Sequence, residues 1–278
     1  MADALAQIGE CLSFPFVRYA LLVGVLVALC SALLGVTLVL RRFSLLGDGL
    51  SHTAFGALAV ATVLRIATPL PFVLVATAAA AVALLAFGRG RVRGDAATAA
   101  VSVGALSIGY LLMNVFGATS NVSGDACSAL FGSTSIMTLS MFDVWMCVGL
   151  STAVIAACAF FHDRIFAITF DEDFARASGL SAGTGNFILA VATALVVVLA
   201  MYLVGALLVS ALIVFPAIAA MRLFGGYRAV VLASATTAVA GTAGGMLAAM
   251  AFDTPVGPTV AAANLLLYLI ACAVGRLR

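Results

Sequence analysis

The sequence predicts an all-α protein, a polytopic bundle of transmembrane helices, and three observations predict it. Of its 278 residues, 65% are hydrophobic and only 9% are charged, against about 25% charged in a typical soluble domain. Mean hydropathy is +1.26. Apolar runs recur between charges along the whole chain, and a bilayer core about 30 Å thick needs roughly 20 apolar residues per helix. Ala, Val and Leu runs with embedded glycine suit helices, because a barrel strand would alternate polar and apolar residues. A cytosolic globular enzyme is excluded.

Taken in order, the runs give about nine spans: 16–40, 49–66, 70–87, 96–116, 143–161, 186–204, 205–221, 229–251 and 258–274. The segment before the first, MADALAQIGECLSFPFVRYA, lacks the charged and apolar regions of a cleavable signal, so the first run is a retained anchor. The sixth and seventh share one uncharged stretch, Phe187 to Met221, of 35 residues. A turn at Gly205 divides it; without that turn the count is eight and both termini share a side. Small residues, Gly104 with Gly109 and Gly241 with Gly244 and Gly245, let helix backbones approach closely in lipid.

Arginine placement orients the bundle. With the N-terminus outside and the C-terminus inside, the inner loops hold Arg41, Arg42, Arg89, Arg91, Arg93, Arg164, Arg176, Arg222, Arg228, Arg276 and Arg278. Only Arg18 and Arg65 fall outside, which is the bias that places basic loops in the cytoplasm. The polar insertions are too short for a soluble domain, so residues 1–278 form a single transmembrane domain. The Asn121 sequon reads as a chance match in a short loop.

The basic residues are all arginine, with no lysine anywhere. That excludes the P-loop, whose lysine reaches the nucleotide phosphates, so any ATP hydrolysis belongs to another chain. A net charge of +2 is too small for a nucleic-acid footprint. Six cysteines, including Cys127, are scattered without a CxxC pair and read as packing thiols.

Asp48 and His52 stand at i and i+4 in GDGLSHTAFG, so a helix turns both side chains to one face. Oxygen and nitrogen donors together suit Zn²⁺ or Mn²⁺. Acidification should weaken such a site, since the deprotonated carboxylate and neutral imidazole are the binding forms. The competing reading has Asp48 capping the second helix and His52 hydrogen-bonding within the bundle. An ionisable group inside a membrane helix costs on the order of 3 kcal/mol on insertion scales, which makes it a functional candidate. Two ligands leave a tetrahedral shell unfilled, so water, further groups or a symmetry-related subunit must complete it. Ser51, Thr53 and Asn264 are candidate lining groups, and Pro216 should kink the seventh span or free a carbonyl near its inner end. His162, in FFHDR, reads as an exposed loop residue, and Asp125 and Asp253 as solvated acids of outer loops.

On the arginine-rich side, FDEDFARASGL reads as a short helix with acids at its start and Gly179 at its end. Phe174 would stand out as an apolar knob, and Ala175, Ala177 and Gly179 would allow a soluble partner to approach.

Together, LLGVTLVLRRFSLLGDGLSHTAFG, SALFGS, FDEDFARASGL, VGALLVSALIVFPAIAAMRL and FDTPVGPTVAAANLL resemble, in order and over nearly the whole chain, the membrane permease subunit of bacterial ABC importers for zinc and manganese. The resemblance implies the fold of type II ABC importer permeases and residence in the bacterial cytoplasmic membrane. It also implies an extracytoplasmic metal-binding protein, a second permease copy in a homodimer or heterodimer, and two cytoplasmic ATPases. Those ATPases would dock near 169–182, on Asp171, Glu172, Phe174, Ala175, Ala177 and Gly179. Asp48 and His52 then look like the metal-coordinating pair of the pathway. Gly49 and Phe55 depart from the usual pattern and remove no ligand. The transported ion is the cargo, and no tightly bound cofactor is expected. The runner-up is a secondary transporter with Asp48 as a proton relay. An intramembrane metalloenzyme would need an HExxH or nucleophile-base motif that the sequence lacks.

Overall fold

The computed structural model describes residues 9–66, 68–87, 94–116 and 141–276. The SALFGS motif, Asn121, Asp125, Cys127, Arg89, Arg91, Arg93 and Arg278 lie outside the described residues. Within them there is no strand, and the helices are α1 (Pro15–Leu40), α2 (Leu46–Val63), α3 (Pro69–Phe87), α4 (Gly94–Phe116), α5 (Met141–Phe160), α6 (His162–Phe170), α7 (Glu172–Ala177), α8 (Ala182–Val204), α9 (Ala206–Leu223), α10 (Tyr227–Phe252) and α11 (Val256–Arg276).

All but α6 and α7 coincide with the apolar runs of the sequence, with α2 beginning at Leu46 and α8 at Ala182, slightly ahead of the predicted starts. Five of the helices are long and apolar enough to cross a membrane: α1, α4, α8, α10 and α11. The α5–α6 pair passes the same test jointly, with a bend of 70° between the two helices.

Gly205 is the turn that divides the long uncharged stretch. It ends α8 and starts α9 at φ 96° and ψ 153°, a conformation that glycine adopts without the clash an added Cβ would bring. The segment read as a short helix is α7, with Asp171, Glu172 and Asp173 at its start and Gly179 just past its end. The extended backbone of Asp171 (φ −149°, ψ 101°) separates it from α6, a helix the sequence reading did not foresee. His162 therefore begins a helix and does not sit in an exposed loop. It is half-buried, with its ring 5.2 Å from that of Tyr227, in a cluster that Phe166 and Phe170 complete.

The core forms around α1, which packs against α5, α8, α9 and α10. Val23, Val27, Leu34 and Leu38 of α1 are buried in one cluster with Leu208, Leu212 and Ile213 of α9 and Met246 of α10. In lipid such contacts hold by close packing, because burial from hydrocarbon into protein gives little hydrophobic gain. The tightest approach joins α1, α2 and α9: a Cβ on Gly35 would collide with the Ile213 carbonyl, and one on Gly47 would lie 2.6 Å from Ile213 Cδ1. Gly109, Gly241 and Gly245 likewise face neighbouring chain, whereas Gly104 and Gly244 face open space.

The turn from α1 to α2 positions the next helix. Arg42 takes the left-handed conformation (φ 61°), while its N–H bonds the Val39 carbonyl at 3.1 Å and that of Phe43 bonds the Leu38 carbonyl at 2.9 Å. This is a Schellman closure with a non-glycine residue at its left-handed position. It folds the chain sharply, and α2 starts a few residues later against α9.

Candidate metal pathway and coupling surface

Asp48 lies in the first turn of α2, yet it does not cap the helix: the N-cap is Leu45, with no side-chain cap bond. The carboxylate still gains from the positive end of the helix dipole. One turn on, His52 places Nε2 3.5 Å from Asp48 Oδ1. That is close enough for an attractive contact and longer than a good hydrogen bond, so both donors face one point without being consumed by each other.

A third group arrives from a distant helix. Ser210 of α9 donates its hydroxyl to Asp48 Oδ1 at 3.1 Å. The sequence reading missed it, because a lone serine in an apolar span carries no signal until the fold pairs it with a carboxylate. The Asp48 side chain is 38% exposed and that of His52 only 14%, so the carboxylate is the more accessible of the two. His52 Nδ1 is buried and has no hydrogen-bond partner among the described residues. Nor does a third His, Cys, Asp or Glu join the pair to form a metal-binding group among them. The arrangement offers one oxygen and one nitrogen donor to a divalent ion.

The other predicted lining residues are placed differently. Ser51 donates to the Asp48 carbonyl at 2.8 Å and Thr53 to the Gly49 carbonyl at 2.7 Å, so both hydroxyl protons stay on their own helix. Asn264 lies apart, in the α10–α11 seam, buried against Gly241 and donating to the Val260 carbonyl at 2.9 Å. Pro216 is buried within α9, which continues through it. Lacking an N–H, Pro216 has nothing to donate to the Leu212 carbonyl one turn before it. Asp253 is exposed and ends α10 in the left-handed conformation, φ 50°. Five cysteines, Cys11, Cys30, Cys147, Cys158 and Cys272, are free thiols, and Cys30 bonds the Ser151 carbonyl at 3.6 Å inside the bundle.

The acidic segment has a defined local architecture. Asp171 caps α7, its carboxylate accepting the Phe174 N–H at 2.8 Å. Gly179 closes the other end at φ 82°, with its N–H on the Arg176 carbonyl at 3.0 Å and that of Leu180 on the Ala175 carbonyl at 2.9 Å. This is a second Schellman motif, here with the expected glycine. Phe174 is 66% exposed, and Asp173 and Ala177 also face outward. Ala175 is fully buried, so its methyl is taken up by the chain's own packing. Glu172 turns inward as well. One of its oxygens accepts from Arg176 at 2.7 Å, and the other lies 3.4 Å from Arg41 at the end of α1. Arg41 also donates to Asn186 of α8 at 2.7 Å.

The chain is 27% identical over 263 residues to the high-affinity zinc uptake system membrane protein ZnuB of Haemophilus influenzae, an alignment covering 92% of this chain and 97% of that protein. It is 23% identical over 257 residues to the manganese import system permease protein ScaB of Streptococcus gordonii, covering 92% and 90%. Among solved structures, PsaBC from Streptococcus pneumoniae in complex with Fab superposes with a TM-score of 0.82 at 25% identity, over 96% of this chain and 95% of the other. The family model of the ABC 3 transport family matches residues 13–275. The chain belongs to the ABC 3 transport family.

Proposed function

We propose that this chain is the transmembrane permease subunit of an ABC importer for a divalent transition-metal ion, zinc or manganese. Family membership and relatives described as zinc and manganese permeases support that reading. The single observation that carries the choice of cargo is the convergence of Asp48, His52 and Ser210 on one partly open point of the bundle. ATP hydrolysis belongs to separate cytoplasmic subunits, and this chain is not itself an enzyme.

All nine long helices cross the bacterial cytoplasmic membrane, within one permease domain spanning residues 1–278. The N-terminus is outside, and the arginine-rich ends, with the coupling segment near 169–182, are inside. An extracytoplasmic metal-binding protein delivers the ion to Asp48 and His52. The two donors leave a shell that a second permease copy fills, most simply by symmetry with the same pair. A partly filled shell suits transport, since an ion held by four rigid ligands would leave slowly. The path continues along α9, where Pro216 leaves the Leu212 carbonyl without its helical donor. Thr53 borders the path with its lone pairs alone, while Ser51 is fully buried within the bundle. Cytoplasmic ATPases dock where Asp171, Phe174, Ala177 and Gly179 are exposed, with Glu172 and Ala175 holding the helix from beneath.

Uptake of radiolabelled zinc or manganese into proteoliposomes tests the assignment. The permease with its ATPase and binding protein should accumulate metal only with ATP inside the accessible compartment, and the permease alone should accumulate none. Uptake by the permease alone, driven by a proton gradient, would contradict it and favour a secondary transporter.

A further inference from the structure

Glu172 belongs to the segment expected to meet the ATPase, but its carboxylate ties that segment to the bundle: Oε1 accepts from Arg176 of the same helix at 2.7 Å, and both oxygens also face groups of other helices. Its side chain is 21% exposed and that of Arg41 12%. Arg41 Nη2 lies 3.4 Å from Glu172 Oε2, and Arg41 Nη1 donates to Asn186 Oδ1 at 2.7 Å. Asn186 Nδ2 donates back to Glu172 Oε1 at 3.4 Å, closing a ring of three side chains from α7, α1 and α8. A half-buried guanidinium and carboxylate hold their geometry through several hydrogen bonds, and loss of either partner leaves a costly unpaired charge.

What stands on the far side of Arg41 gives the ring its consequence. Arg41 is the C-cap of α1, and the strained Schellman turn at Arg42 follows at once. The Leu46 N–H then bonds the Phe43 carbonyl at 3.0 Å, and Asp48 sits in the first turn of the helix that opens there. A displacement of α7 therefore has a short, stiff route into the start of α2. That route contains no long flexible loop.

From this geometry we infer that Arg41, Glu172 and Asn186 form a strut that carries movement of the coupling helix to the Asp48 end of α2. Glu172 is thereby a positioning residue acting inward, and the ATPase contact falls to the outward-facing Asp171, Phe174, Ala177 and Gly179. The inference rests on the permease reading above and deepens it.

Hydrogen–deuterium exchange on the intact importer complex in lipid nanodiscs tests it, comparing residues 41–52 with and without a non-hydrolysable ATP analogue. In the unaltered complex the analogue should change exchange across this segment. Glu172→Gln, nearly isosteric, should reduce that change at least about threefold while the ATPase still co-purifies. Glu172→Asp, which keeps the charge, should restore part of it, and Asn186→Ala should weaken it through a different residue. An undiminished response in Glu172→Gln, release of the ATPase by that variant, or no response in the unaltered complex would each overturn the strut. Metal uptake by the unaltered importer is measured separately, so failure of the permease reading shows there and leaves the exchange result to be judged alone.

Discussion

A carboxylate and an imidazole 3.5 Å apart, with a serine hydroxyl 3.1 Å from the carboxylate, stand where we propose that the ion binds. Ser210 fixes the carboxylate rotamer from another helix, and a hydrogen bond of this kind is worth about 1 kcal/mol. Ser210→Ala should therefore raise the KM for metal uptake about fivefold and leave assembly intact; an unchanged KM would show that Ser210 does not position Asp48. Thr53→Val should have little effect, since the Thr53 proton is held by the Gly49 carbonyl of its own helix. Asp48 and His52 were legible in the sequence because four residues of spacing mean one helix face. Ser210, 162 residues from Asp48, was not, because serine is common in apolar spans and only the fold selects one. Arg41 and Asn186 were illegible as partners of Glu172 for the same reason.

Helix boundaries were largely legible, because charge and glycine punctuate long apolar runs. Gly205 illustrates why: an uncharged stretch too long for one span must turn, and glycine is the residue that takes φ 96° freely. Gly205→Ala should destabilise the folded protein by about 1–3 kcal/mol, measured as loss of thermal stability in detergent. The segment from His162 to Phe170 was less legible. FFHDR read as loop, but Ile168 packs inward while Phe166 and Phe170 meet Tyr227, giving a short helix whose stabilising partners lie far along the chain. For α7, Phe174→Ala should release the ATPase on co-purification while leaving metal contacts at Asp48 unaltered. Ala175→Leu should unfold the docking surface itself, because Ala175 is fully buried. Retention of the ATPase by both variants would remove α7 as the docking element.

For the whole molecule, the arginine asymmetry and the contacts agree on which helix ends lie together. Arg41 meets Glu172, Arg228 pairs with Asp163 at 3.2 Å, and the Arg222 carbonyl lies close to Gly275 near the end of α11. The ordered motifs made the family legible from sequence, and the superposition on PsaBC extends over nearly the whole chain. What would complete the proposed ion shell was not legible, since one chain supplies one carboxylate and one imidazole at this point. The decisive measurement is ATP-dependent zinc and manganese uptake by importers carrying Asp48→Asn or His52→Ala, each assembled with its ATPase and binding protein. Both variants should retain the assembled complex and lose uptake. Uptake at the unaltered rate in both would mean that the ion crosses without touching this pair.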